Sequence, residues 1–185
     1  MKSFTLSIAL GMSLLFSAQM GVSQTMDHTH GADGTGHDEV TMPGLRGGDA
    51  TLQESAELEV MFRNFTTLSR EVENLPNGIR TVTRSSDPEV MDALVSHVVG
   101  MSARVDEGRD PQIMIQSPTL DIFFDRTGAI ETEIEVTDAG IVVVQTSDDP
   151  EIVTALNVHA AEVSDMAARG MVPVHERMMK QAQEG

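Results

Sequence analysis

The chain contains no cysteine, no tryptophan and no tyrosine, and only six phenylalanines in 185 residues. Without cysteine there are no disulfides, no thiolate metal ligands, no covalently attached haem and no lipid anchor on an N-terminal cysteine. With so few aromatics, stacking platforms for sugars or bases are not expected. Basic residues are scarce as well: 12 Lys and Arg stand against 29 Asp and Glu, for a formal net charge of −17. A surface of that sign repels nucleic acid and anionic lipid, and favours solubility, cations and basic partners. Most of these acids serve as a solvated surface.

The one long apolar run, Phe4 to Phe16, follows Met1-Lys2 and precedes Gly21-Val22-Ser23, a small-x-small cleavage pattern. This reads as a secretory signal peptide over residues 1–23, too short for a spanning helix. The expected mature protein is periplasmic or secreted, with no membrane insertion. Cleavage removes Lys2 and leaves 11 basic against 29 acidic residues, a net −18, with four phenylalanines. Methionine is plentiful, at thirteen. Its flexible thioether fills core space where aromatics are scarce.

The mature sequence contains its own unit twice. Gly78-Ile79-Arg80-Thr81-Val82 leads to Ser86-Asp87-Pro88-Glu89-Val90, Ala93-Leu94 and His97. Sixty-two positions on, Gly140-Ile141-Val142-Val143-Val144 leads to Asp148-Asp149-Pro150-Glu151-Ile152, Ala155-Leu156 and His159. In each copy a turn signal, Pro76-Asn77-Gly78 or Asp138-Ala139-Gly140, joins two extended runs into a hairpin. Ile130 to Val136 alternates apolar and polar residues as a half-buried strand does. Each copy then starts a helix with Asp-Pro-Glu. The Asp caps free N–H groups, the Pro supplies a helical φ without an N–H, and the Glu meets the positive helix end. The expected unit is hairpin then helix, over about 66–108 and 129–170. Two such units predict one α+β domain over 51–185, a four-stranded, mainly antiparallel sheet with helices on one face.

Other segments flank the repeat. Residues 24–50 are rich in Gly, Asp, His and Thr with no apolar period, and read as a disordered tail. Thr51-Leu52-Gln53-Glu54 spells a capping box for an N-terminal helix, with Leu58, Met61, Phe62 and Phe65 on its apolar side. Pro111 to Phe124 needs burial but carries no period that assigns an element type. Gly170 and Pro173 break the chain before a C-terminal helix.

The repeat singles out His97 and His159. Each lies three residues after a leucine of its helix's apolar stripe, and therefore on the inward face. As ligands they suit copper, with Met101 as a soft thioether one turn from His97 and His175 completing the set from the last helix. They also suit haem as an axial His pair. Alternatively each is a buried histidine that only satisfies hydrogen bonds in a structural or interaction module. Glu162, three residues after His159, is placed to orient an imidazole. His28, His30 and His37, among Asp and Met in the tail, make a loading segment for a metal ion. Such a protein would store, deliver or sense its metal, passing it to another periplasmic protein. No nucleophile elbow, phosphate loop, zinc-protease motif or dinucleotide turn occurs, so no catalytic residue is expected.

The segments SSDPEVMDALVSHVVGM and TSDDPEIVTALNVHAAEVSDMAARGMVPVH resemble an uncharacterised family of exported bacterial proteins with a duplicated Ser-x-Asp-Pro…His hairpin–helix unit. The likeness runs from about Phe65 to His175. It implies the duplicated unit, and it carries over no catalytic residue.

Overall fold

The computed structural model describes residues 43–184. The signal segment and the tail histidines His28, His30 and His37 lie outside them. Both copies of the unit form as the spacing predicts. Strands β1 (Leu68–Leu75) and β2 (Gly78–Ser85) make the first hairpin, and β3 (Glu131–Thr137) and β4 (Gly140–Thr146) make the second. Helices α2 (Pro88–Glu107) and α4 (Pro150–Arg169) follow them, each of 20 residues. The caps also repeat. Asp87 accepts from the Glu89 and Val90 N–H groups, and Asp149 accepts from that of Glu151. Behind each cap a serine accepts from the aspartate's own N–H, Ser85 at 3.0 Å and Ser147 at 3.1 Å. Both helices stop at equivalent glycines, Gly108 and Gly170, with φ of 65° and 60°. That is a backbone region open to glycine and costly for residues with a Cβ.

The sheet order is β1-β2-β4-β3, antiparallel throughout. The two inner strands pair Thr81 with Val143, Ile79 with Gln145 and Thr83 with Ile141. Thr81 and Val143 are themselves equivalent positions of the repeat, so the pseudo-twofold axis passes through that pair. Ile79–Gln145 and Thr83–Ile141 then exchange under it.

Neither helix packs on its own hairpin alone. Helix α4, from the second copy, packs on β1 and β2, while α2 packs on β2 and β3. Under α4 sits a core of Ile79, Phe123, Ile130, Ile152, Leu156 and Ala160. Apolar burial at about 25 cal/mol per Å2 is the main driving force here, and it joins residues from both copies. Neither unit has a closed core of its own.

The remaining elements cover the open side. Helix α1 (Leu52–Arg63) starts with the expected capping box and packs on α2. The ambiguous segment 111–124 becomes an irregular strand-like stretch, a single 3-10 turn (Pro118–Leu120) and a short helix α3 (Asp121–Asp125) that buries Phe123 and Phe124. Helix α5 (Val172–Glu184) packs back on α4, and Gly170 lets it turn there. A Cβ on Gly170 would stand 2.9 Å from the Phe65 ring. Part of the segment that composition assigns to the tail is built into the fold: Leu45 is buried, and Gly47 bridges Ile113. Met114 donates to the Arg46 carbonyl at 3.0 Å, and Ile115 to that of Gly44 at 3.2 Å. Polar residues in 43–50 are thus held by backbone pairing, which an apolar period does not report.

One charged residue is buried where the helical stripe shows none. Arg104 on α2 is 3% exposed. Its Nη2 donates to Glu54 at 2.9 Å and to the Asp49 carbonyl at 2.7 Å, and its Nη1 donates to the Asp49 carboxylate at 2.8 Å. This guanidinium fastens the start of α1 to α2. Its hydrogen bond to Glu54 is the main reason that the Glu54 carboxyl falls to about 2. Among the described residues, no helix is long and apolar enough to cross a membrane.

Arg104→Ala leaves Glu54 without its partner in a mostly buried place, and urea unfolding should show a loss of about 3 kcal/mol. The Glu54 carboxyl is depressed in the fold, so this contribution is present above its ordinary pKa near 4.5 and lost as pH falls toward 2. The stability gap between wild type and Arg104→Ala should close over that range.

Candidate functional site

Between the sheet and the helices lies a cavity of about 320 Å3. Its floor is the inner face of the sheet, where Arg70, Thr81, Thr83, Ile134 and Gln145 point inward by strand parity. Its walls come from α1, α2, α4 and the 111–124 segment. The apolar stripe expected on α1 lines it through Leu58, Met61 and Phe62, with Phe65 beyond the helix. Along α2 the expected stripe divides: Val90 and Leu94 are buried, while Val98, Met101 and Val105 line the cavity beside His97. Along α4, Ile152 and Leu156 enter the core, while Val163 and Met166 line the cavity beside His159.

His97 and His159 therefore open on one space, as their equivalence in the repeat suggests. The His159 and Phe123 rings meet in a T-shaped contact, centroids 6.0 Å apart. Among the described residues, five buried side-chain polar atoms have no hydrogen-bond partner. They are His97 Nδ1, His159 Nδ1, Arg70 Nε, Glu162 Oε2 and Asn157 Oδ1. The first four belong to residues of this cavity wall. A buried polar atom left unpaired costs about 1–3 kcal/mol, and folded proteins keep few of them. Four in one apolar cavity is the pattern of a binding site, where a few polar groups are held ready in a greasy pocket.

The charges of the wall are ordered. Burial lowers the pKa of His97, and the nearby Glu57 and Glu54 carboxylates oppose that shift only in part. His159 falls to about 4, first through burial, then through the charges of Arg70 and His97. Both imidazoles are thus neutral near pH 7. Arg70 is lowered to about 10 by burial and stays a cation. Its Nη1 donates to Thr83 Oγ1 at 2.6 Å, across the register pair Arg70–Thr83. None of the ion pairs among the described residues includes Arg70.

The other expected site residues fall as follows. Met101 lines the cavity one turn from His97. His175 lies on α5, outside the cavity wall, with its backbone N–H on the Met171 carbonyl. Glu162 lines the cavity, but its Oε1 accepts from Ser117 at 2.7 Å and Thr119 at 3.5 Å, not from an imidazole. Among the described residues, no group of three or more His, Asp or Glu is arranged to hold a metal ion. Arg70 escaped the sequence reading. Its signal was parity: it stands two residues after Leu68, on the inward side of β1, in a chain with few basic residues.

Comparison with protein-family models, with curated proteins and with solved structures returns no match.

The histidines give the fold a pH dependence. His159 titrates near 4 in the fold and near 6.5 unfolded, so the unfolded chain takes up the proton first as pH falls. Stability is whole above pH 6.5 and declines toward pH 4, by about 3 kcal/mol for a shift of this size. Urea unfolding between pH 7 and 4 should show that decline, and His159→Gln should flatten it. An equal slope in the variant would refute the assignment.

Proposed function

We propose that the protein is an exported binding protein that carries a small, mainly apolar molecule with a polar head in the cavity beneath α2 and α4. The observation that supports this reading is the set of four unpaired buried polar atoms, on His97, His159, Arg70 and Glu162, around one apolar space. Buried polar groups without partners are kept where a ligand satisfies them, and the surrounding apolar wall supplies the affinity. Export rests on the signal-like segment 1–23.

A copper centre on His97, His159 and Met101 draws on the same pair, and neutral imidazoles are the form that ligates. Against it stands Arg70, whose charge already disfavours a proton on His159. A metal cation at His159 meets the same repulsion. Haem draws on the same pair, but its macrocycle is much larger than a space of about 320 Å3, so this reading requires the cavity to open. Two neutral imidazoles facing one apolar cavity suit an axial pair, and the free guanidinium suits a propionate.

A small fluorescent apolar probe that matches the cavity in size, such as 2-naphthol, tests the binding reading, in a chain with no tryptophan to interfere. One probe should bind per folded molecule. Met101→Trp, which fills the cavity, should abolish that binding at unchanged far-ultraviolet dichroism. Binding that survives in Met101→Trp would overturn the cavity as the site. Titration with haemin separates the second reading. A Soret band that disappears in the His97→Ala, His159→Ala double variant supports haem, and its absence removes haem.

A further inference from the structure

The cavity wall has a charge opposite to that of the protein. The whole chain carries −17, yet the wall holds two guanidinium groups, Arg70 and Arg177, and one carboxylate, Glu162, with both histidines neutral. Arg177 is committed to structure, because its Nη2 donates to the Ile115 carbonyl. Glu162 is held by the Ser117 and Thr119 hydroxyls and does not reach Arg70. Arg70 is half-buried, and its buried Nε has no hydrogen-bond partner. Burying an ion without a partner costs several kcal/mol. None of the ion pairs among the described residues brings a carboxylate to it.

We infer that the polar head of the ligand is a carboxylate, bound by the free edge of Arg70, on an apolar body of about ten heavy atoms in all. This rests on reading the cavity as a binding site, and it adds the chemical class of what binds. The geometry of the guanidinium supports it. Thr83 occupies Nη1 and fixes the plane of the group, which leaves the edge formed by Nε and Nη2. Those two N–H groups are parallel and spaced for the two oxygens of one carboxylate. His159, close enough to feel the charge of Arg70, is neutral and does not compete for the anion as a second cation. The single acid on the wall, Glu162, stands against a second negative charge on the ligand. The apolar stripes of α1, α2 and α4 surround the rest of the space. At about 30 Å3 per heavy atom, taken from the share of a water in the liquid, 320 Å3 holds about ten.

Octanoate has that size and charge, and methyl octanoate keeps the chain while removing the charge. Calorimetric titration of the full mature protein with both tests the inference. Octanoate should bind at least about ten-fold more tightly than the ester, as charge-assisted hydrogen bonds require. Arg70→Gln should collapse that preference to about one. Arg70→Lys keeps the charge but loses the paired donors, and should give an intermediate preference. Thermal unfolding of each variant confirms that it folds, and Thr83→Val, a change that leaves Arg70 in place, should lower the preference several-fold if Arg70→Gln does not fold. An ester that binds as tightly as octanoate to wild type overturns the carboxylate and leaves the cavity reading standing. A preference that persists in Arg70→Gln, or in Thr83→Val where that variant stands in, removes Arg70 as its source. If neither compound binds the folded protein, and the fluorescent probe also fails, the cavity reading itself fails.

Discussion

The pairing of β2 with β4 is the contact on which everything else rests. A lone two-stranded hairpin is marginal in water. Joined edge to edge through their inner strands, the two hairpins become one sheet with a continuous inner face. Only that face is wide enough to seat α2 and α4 together. The join also sets the symmetry, because Thr81 and Val143 are equivalent positions facing each other across it. With the axis fixed there, the inward faces of the two helices converge above one point of the sheet. His97 and His159 share a cavity for that reason.

Much of this was legible because the chain repeats itself. Asp-Pro-Glu marked both helix starts, and the bounds at 108 and 170 marked the ends of both units. The order of strands and helices followed, as did the inward setting of the histidines. Each of these signals is local, or becomes local once one copy is read against the other. The parts that stayed hidden depend on partners far along the chain. Gly47 meets Ile113 through backbone bonds, and no side-chain period records such a pairing. Arg104 lies within the helix of the first copy, yet its burial is decided by Asp49 and Glu54, some fifty residues earlier. Glu162 was placed by spacing beside His159, but a hydroxyl from the 111–124 segment claims it instead. Arg70 was overlooked because a basic residue in a strand usually faces water.

Arg104 and Arg70 show how differently the fold treats the same side chain. Arg104 is surrounded by acceptors, and its charge is raised in pKa by the carboxylate beside it. It acts as a rivet between α1 and α2. Arg70 has one hydroxyl and an unpaired Nε, and burial lowers its pKa. The first is complete in itself. The second is incomplete, and it lies on the wall of the cavity.

The crossing of each helix onto strands of the other copy has an evolutionary consequence. A single hairpin–helix unit has no closed core, so one unit by itself would need a second copy to cover its apolar face. In two identical chains every group near the axis comes twice. Fusion into one chain ends that obligation, since each copy then mutates alone. His97 and His159 keep the old pairing, whereas Arg70 now stands opposite Thr132, and Thr83 opposite Gln145. A chamber that began with two like ends has acquired a front and a back. Its two ends now differ in chemistry, a guanidinium at one and the Thr132 hydroxyl at the equivalent place in the other.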